Sequence, residues 1–261
     1  MRPPRTDPPA LLVIAHGSRD PRHAATVRAL TARVAAARPG LRVDTAFLDF
    51  DAPSVPDAVR RLAADGVSDA VALPLLLTRA FHAKTDIPAV LAESAAELPG
   101  LRLRTAAVLG PSPLLTAALE RRLRAAGVRA RDRAGTGVVL ASAGSTDPEA
   151  SAVIAAIARE WRRTGWCAVR PAFASASLPR TEDAVRVLRA EGVRRIAVAP
   201  YVLAPGFLPD RIARGAREAG ADVLADVLGP APEVAELLLR RYDEARLGAP
   251  TALPLGRLAL A

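Results

Sequence analysis

Residues 57–74, DAVRRLAADGVSDAVALP, return at 183–200 as DAVRVLRAEGVRRIAVAP. A helical stretch, a turn glycine (Gly66, Gly192), an apolar run and a closing proline (Pro74, Pro200) recur in one register. Upstream, LLVIAHGSRDP (11–21) parallels VVLASAGSTDP (138–148). Downstream, VLGPSP (108–113) parallels VLGPAP (227–232). Matches in the same order along the chain identify a tandem duplication, and whatever one copy folds into, the other must fold into as well.

Each copy reads β-α-β-α-β-α-β-α. In the first, apolar runs near 11–15, 42–47, 69–75 and 102–108 lack clean alternation, as strands do when both sheet faces are covered. Helical spacing fills the gaps. DPRHAATVRALTARVAAA sets Ala24, Val27, Leu30, Thr31 and Val34 on one side behind an Asp-Pro start, and SVPDAVRRLAADG opens at Ser54 and stops at Gly66. Alternating strands and helices of this length imply parallel sheets with right-handed crossovers. The expected fold is α/β: two tandem-duplicated doubly wound domains, each a parallel four-stranded sheet flanked by helices. They are expected over 9–134 and 135–246, with 247–261 a Pro/Gly-punctuated tail, loose or packed on the surface.

Composition narrows the function classes. The chain of 261 residues can bury a substantial core, and its apolar 51% is mostly Ala, Leu and Val. No run approaches the ~18 apolar residues of a membrane span. The opening MRPPRTDPPA is followed by LLVIAHGSRD, too quickly polar for a signal-peptide core, so a cytoplasmic enzyme is expected. A single cysteine, Cys167, rules out an internal disulfide or a cysteine-based cluster; it reads as a small buried apolar residue at a strand start, with Trp161 and Trp166 packing around a helix end. The net charge of +9 comes from scattered arginines, without the basic stripe and interleaved aromatics of a nucleic-acid binder. An anionic small molecule suits it better.

Only three histidines are present. His16 follows the first strand, and His82, in AFHAKTDIP (80–88), follows the third. Ligands of such sheets bind beyond the carboxyl ends of the strands, so both sit on one rim and can converge. His23, inside the first helix, reads as a surface residue. A lone histidine after a strand is often only a hydrogen-bonded loop residue; two on one rim bring the readings level. A pair of imidazoles can hold a divalent transition metal or accept a proton near neutral pH, but is too small for a closed zinc site. The duplicate adds weight. Gly17, Ser18, Asp20 and Phe81 have counterparts in Gly144, Ser145, Asp147 and Phe207, whereas His16 aligns with Ala143 and His82 with Leu208. A folding requirement should apply to both copies; the histidines are confined to one.

AHGSRDP, FLDFDAPSVPDAV and PLLLTRAFHAKTDIP, in this order and spacing, resemble the CbiX-type sirohydrochlorin chelatases, the class II chelatases, in their two-domain bacterial form. The resemblance spans nearly the whole chain. It implies insertion of Fe²⁺ or Co²⁺ into sirohydrochlorin, a polycarboxylate tetrapyrrole, in a cleft between the domains. The metal is then a substrate, with no permanently bound cofactor and no Fe–S cluster. The family's metal-site histidines fall on His16 and His82, with His16 the proton acceptor and ligand and His82 the partner ligand. Asp49, where relatives often carry Glu, relays protons, orients an imidazole, or is a solvated loop acid. Ser18 and Arg19, and the segment Leu77, Thr78, Arg79, Ala80 and Phe81, form the implied substrate-binding set, the arginines pairing with carboxylates. The chain departs from the family at Ala80, where glycine is usual, and at Ala52, where an acid is common, so that one expected substrate contact is absent or is supplied by Asp49 or Asp51. Ferrochelation for sirohaem is expected first and cobalt insertion for cobalamin second. A non-catalytic tetrapyrrole or metal carrier is a further alternative, and an anion-binding protein using HGSRD a weaker one. Because one chain supplies both copies, a monomer is expected.

Overall fold

The computed structural model describes residues 8–79 and 85–248. The first copy contains β1 (Ala10–Ala15), α1 (Pro21–Ala37), β2 (Val43–Phe47), α2 (Val55–Ala64), β3 (Asp69–Pro74), α3 (Ile87–Ala96), β4 (Arg102–Thr105) and α4 (Pro113–Ala125). The second contains β5 (Thr136–Ser142), α5 (Pro148–Arg162), β6 (Ala168–Phe173), α6 (Thr181–Ala190), β7 (Arg195–Tyr201), α7 (Phe207–Glu218), β8 (Val223–Leu224) and α8 (Pro232–Arg246). Two four-stranded parallel sheets result, ordered β2-β1-β3-β4 and β6-β5-β7-β8, so the duplication read in the sequence is a duplication of topology. Equivalent pairings recur, Val13 opposite Thr45 and Leu73 in one sheet and Leu140 opposite Pro171 and Ala199 in the other.

Local signals explain the element boundaries. Asp20 and Asp147 begin α1 and α5 by accepting the Arg22 and Glu149 amides, each followed by proline, which needs no amide partner at that position. Ser54 caps α2 through the Asp57 amide. Gly66 and Gly192 take φ of +79° and +85°, ending α2 and α6 in a conformation open to glycine. Among the described residues no helix is long and apolar enough to cross a membrane.

The sheets bury different sides of themselves in different cores. Leu12 and Ile14 face an outer core with α2 and α3, and Val139 and Ala141 face the corresponding one with α6. Leu11 and Val13 of β1 and Val138 and Leu140 of β5 instead share one central core. That core is sealed by an exchange of helices: α8 packs on β3, β4 and α1 of the first copy, and α4 packs on β7 of the second. Leu237, Leu238 and Tyr242 of α8 are all buried there, each worth about 1.5–3 kcal/mol of apolar burial. Polar ties follow the same route. Tyr242 donates its hydroxyl to the Pro9 carbonyl at 2.6 Å, Arg38 clasps Asp243 at 2.6 and 2.7 Å, and Arg122 donates to the Leu228 carbonyl at 2.9 and 3.2 Å. A cut at the sequence repeat therefore runs through a common interior. Trp161 and Trp166 meet edge to face at 5.9 Å as expected, but Cys167 is only half-buried, because it sits in the turn before β6 with its amide on the Arg133 carbonyl.

Candidate functional site

At the end of β1 the chain turns through His16 and Gly17. Gly17 has φ +94°, and a Cβ there would lie 1.8 Å from the Asp49 carbonyl oxygen, so only glycine allows the loops after β1 and β2 to touch. Three bonds hold this contact. The Asp49 amide donates to the His16 carbonyl at 2.9 Å, the Ser18 amide donates to Asp51 Oδ2 at 3.0 Å, and the Asp20 amide donates to Ser18 Oγ at 3.1 Å. Ser18 and Asp51 thus hold the turn.

The second copy repeats the scaffold without the chemistry. Gly144 has φ +89°, and a Cβ there would lie 1.9 Å from the Ser175 carbonyl oxygen; the Ser175 amide donates to the Ala143 carbonyl at 2.9 Å, and the Asp147 amide to Ser145 Oγ at 3.0 Å. Backbone for backbone, His16 and Asp49 become Ala143 and Ser175. The difference is confined to side chains.

Beyond the strand ends lies a cleft of about 350 Å³ walled by both copies. His16 and Leu75–Thr78 contribute from the first, and Ser142, Ala143, Ile154, Tyr201–Ala204 and Leu208 from the second. Its surface is mainly apolar, with His16, His23, Thr78 and Ser145 among its few polar side chains. Of the residues expected from the sequence, His16, Leu77 and Thr78 line the cleft. Asp49 is exposed, its amide bonded to the His16 carbonyl, and Arg79, which follows the cleft-lining Thr78 in the chain, is exposed. Ala80, Phe81 and His82 lie outside the described residues. The His16 ring runs parallel to Phe50 within 10° at 6.5 Å between centroids, and the Arg19 guanidinium lies over the Phe50 ring at 5.1 Å. Arg22 joins the two rims, pairing with Asp20 at 2.5 Å and with Asp210 of α7 at 2.6 Å.

Two cleft residues depart from the sequence reading or escaped it. His23, read as a surface residue, is half-buried and lines the cleft, with Nδ1 buried and unpartnered among the described residues. Burial pushes its pKa below the ordinary histidine value; Asp51 and Asp20 oppose that shift and His16 adds to it. The sequence carried a signal, since positions 23, 27, 30 and 34 share one face of α1 with buried Val27, Leu30 and Val34. Tyr201, buried at the end of β7, stands where the first copy has Leu75. Its hydroxyl has no partner among the described residues, and burial pushes its pKa up. The repeat alignment shows that exchange.

Chemically, the rim offers the His16 imidazole at the edge of an apolar cleft, with the Asp49 backbone bonded to the His16 carbonyl. Among the described residues no three His, Cys, Asp or Glu side chains gather to hold a cation. Such a site can pass a cation on and accept a proton in the same place.

Residues 10–126 and 137–245 each match the CbiX family. The sirohydrochlorin ferrochelatase of Bacillus subtilis is 26% identical over 247 residues, covering 90% of this chain and 91% of that protein. The sirohydrochlorin cobaltochelatase of Priestia megaterium is 27% identical over 205 residues, covering 78% and 67%. Among solved structures, SirB from Bacillus subtilis with Fe³⁺ superposes with a TM-score of 0.81 at 25% identity, covering 92% of this chain and 96% of that one. With both copies matched, the same paired sheets, and HGSRD at the mouth of the cleft between them, the chain belongs to the CbiX family.

Proposed function

We propose that this protein is a sirohydrochlorin chelatase, with Fe²⁺ as the favoured metal substrate and Co²⁺ as the alternative. The observation that carries this reading is His16, which lines a two-walled apolar cleft beside Asp49, at a place where the duplicated scaffold carries Ala143 and Ser175.

Metallation replaces two pyrrole N–H protons by one divalent cation, so the site must deliver the metal and remove two protons. His16 can ligate the arriving cation through its imidazole and, once the metal has passed to the ring nitrogens, accept a proton at the same nitrogen. Asp49, tied to His16 by its backbone, supplies the carboxylate that orients the imidazole or passes the proton to solvent. His82 is the second imidazole of this reading, a partner ligand, and the second pyrrole proton leaves as the first does, through His16 and Asp49 to solvent once His16 has been relieved of the first. Leu77 and Thr78 offer wall to the macrocycle, while Arg19 and Arg79 face its carboxylates. The apolar walls exclude water from the reacting nitrogens. The metal is a substrate, and a lone cysteine cannot hold a cluster.

Imidazole and carboxylate ligands accept Fe²⁺ and Co²⁺ alike. The Bacillus subtilis relative, matched over 90% of this chain, is named a ferrochelatase, which favours iron; the Priestia megaterium cobaltochelatase keeps cobalt open. Because one chain builds both walls, a monomer suffices. The test is the rate of absorbance change when purified protein, sirohydrochlorin and either Fe²⁺ or Co²⁺ are mixed. Catalytic acceleration over spontaneous metallation is expected with at least one metal, Fe²⁺ the faster. Stoichiometric binding without acceleration would make the protein a carrier.

A further inference from the structure

Phe50 is aromatic at a place where the fold does not bury it. Its side chain is 60% exposed, and its backbone sits at φ +62°, a region costly for a bulky residue. The duplicate position is Ala176 at φ +57°, so the scaffold imposes the backbone conformation and does not ask for the ring. An exposed apolar ring, strained and confined to the copy that carries His16, points to a ligand. Its neighbours say which kind. His16 lies parallel to it within 10°, and Arg19 is held over its face at 5.1 Å.

The angle is informative. An imidazole nitrogen directs its lone pair within the ring plane. A flat macrocycle that presents its face to that nitrogen must therefore stand across the His16 plane. Phe50, within 10° of the same plane, meets such a macrocycle edge-on. The positive edge of a phenyl ring against a π face is a favoured aromatic contact. Arg19, perched on the side of Phe50, then lies toward the macrocycle's periphery, where carboxylates hang.

Resting on the tetrapyrrole reading above, we infer that Phe50 is a substrate-binding residue: its ring packs edge-to-face on the macrocycle and holds Arg19 in place for a peripheral carboxylate. Phe50→Ala tests this cleanly, because alanine already occupies the duplicate position at the same φ. Sirohydrochlorin binding is followed by absorbance titration for wild type, Phe50→Ala, Arg19→Ala and the double variant; Co²⁺ binding without macrocycle and thermal melts run alongside. Phe50→Ala is expected to raise the Kd for sirohydrochlorin about tenfold, with Co²⁺ binding and melting temperature unchanged. Arg19→Ala should cost less in the Phe50→Ala background than alone, since its perch is already gone. A Kd within twofold of wild type would overturn the inference. So would loss of Co²⁺ binding in Phe50→Ala, which would make the ring a support for His16. If wild type itself fails to bind sirohydrochlorin, the tetrapyrrole reading falls and this inference with it; normal wild-type binding with an unaffected Phe50→Ala removes the inference alone.

Discussion

Gly17 and Gly144 offer a matched pair of perturbations. An alanine Cβ at 17 would lie 1.8 Å from the Asp49 carbonyl oxygen, and one at 144 would lie 1.9 Å from the Ser175 carbonyl oxygen. Backbone carbonyls cannot yield as a side-chain tip can, so in either variant two loops must part. The φ values of +94° and +89° add about 1 kcal/mol of strain for alanine. Parting the loops at 17 also breaks the Asp49–His16 amide bond and the Ser18–Asp51 bond, about 2–3 kcal/mol together. At 144 it breaks the Ser175 amide and hydroxyl bonds to Ala143, about 2 kcal/mol together. Each variant should therefore lose about 3–4 kcal/mol, a drop of roughly 10 °C in Tm for a chain of this size. Function should separate them. Gly17→Ala displaces His16 and Asp49, whereas Gly144→Ala displaces Ala143 and Ser175. Titration with Co²⁺, followed by its visible absorption, should show metal binding lost in Gly17→Ala and kept in Gly144→Ala. An undiminished Tm in Gly17→Ala would refute the close-approach reasoning. Equal loss of Co²⁺ binding in both would refute the assignment of metal chemistry to the first copy.

Three further outcomes follow from the shared interior. Tyr242→Phe removes the donor from the part-buried Pro9 carbonyl and should cost about 1 kcal/mol in urea denaturation, with both copies still unfolding in a single transition; two separated transitions would contradict a common core. The Arg38 guanidinium holds the Asp243 carboxyl below its ordinary value of 3.8, so the stabilisation is fully present above that pH and fades as pH falls through the lowered value. Asp243→Asn should thus melt below wild type at neutral pH, by under about 1 kcal/mol for this partly exposed pair, with the gap narrowing as the pH falls below 3.8. A 1–134 fragment lacks α8, leaving the Val71 and Leu73 face of its sheet uncovered; it should self-associate in sedimentation and show no turnover, and near-full activity from a monomeric fragment would show that the second copy is not needed.

Much of this architecture is legible because duplication doubles each signal. The Asp-Pro starts at 20–21 and 147–148, the glycine stops at 66 and 192 and the apolar runs recur, and a residue type present in one copy but absent from the other marks itself. His16 stands out that way against Ala143. The exchange of α4 and α8 is not legible, for a physical reason: periodicity reveals which face of a helix is apolar, but Leu237 and Leu238 would bury as well on either sheet. His23 was readable from its place on the Val27 and Leu30 face, yet Ala24 beside it fits the stripe nearly as well and draws the eye outward. Phe50 was hidden differently. In FLDFD it looks like one more apolar residue at a strand end, and only the φ of +62° turns it out beside His16.

The most direct test of where the chemistry resides is single-turnover metallation by wild type and His16→Ala, with sirohydrochlorin prebound at saturation and Fe²⁺ or Co²⁺ added. Alanine occupies the equivalent Ala143 position, so the variant should keep its melting temperature and its macrocycle affinity. Its metallation rate is expected to fall about 10²–10⁴-fold, the scale of removing one acid–base group. A rate within a few-fold of wild type, from folded protein with the macrocycle bound, would contradict the assignment of His16 as the residue that receives the metal and the proton.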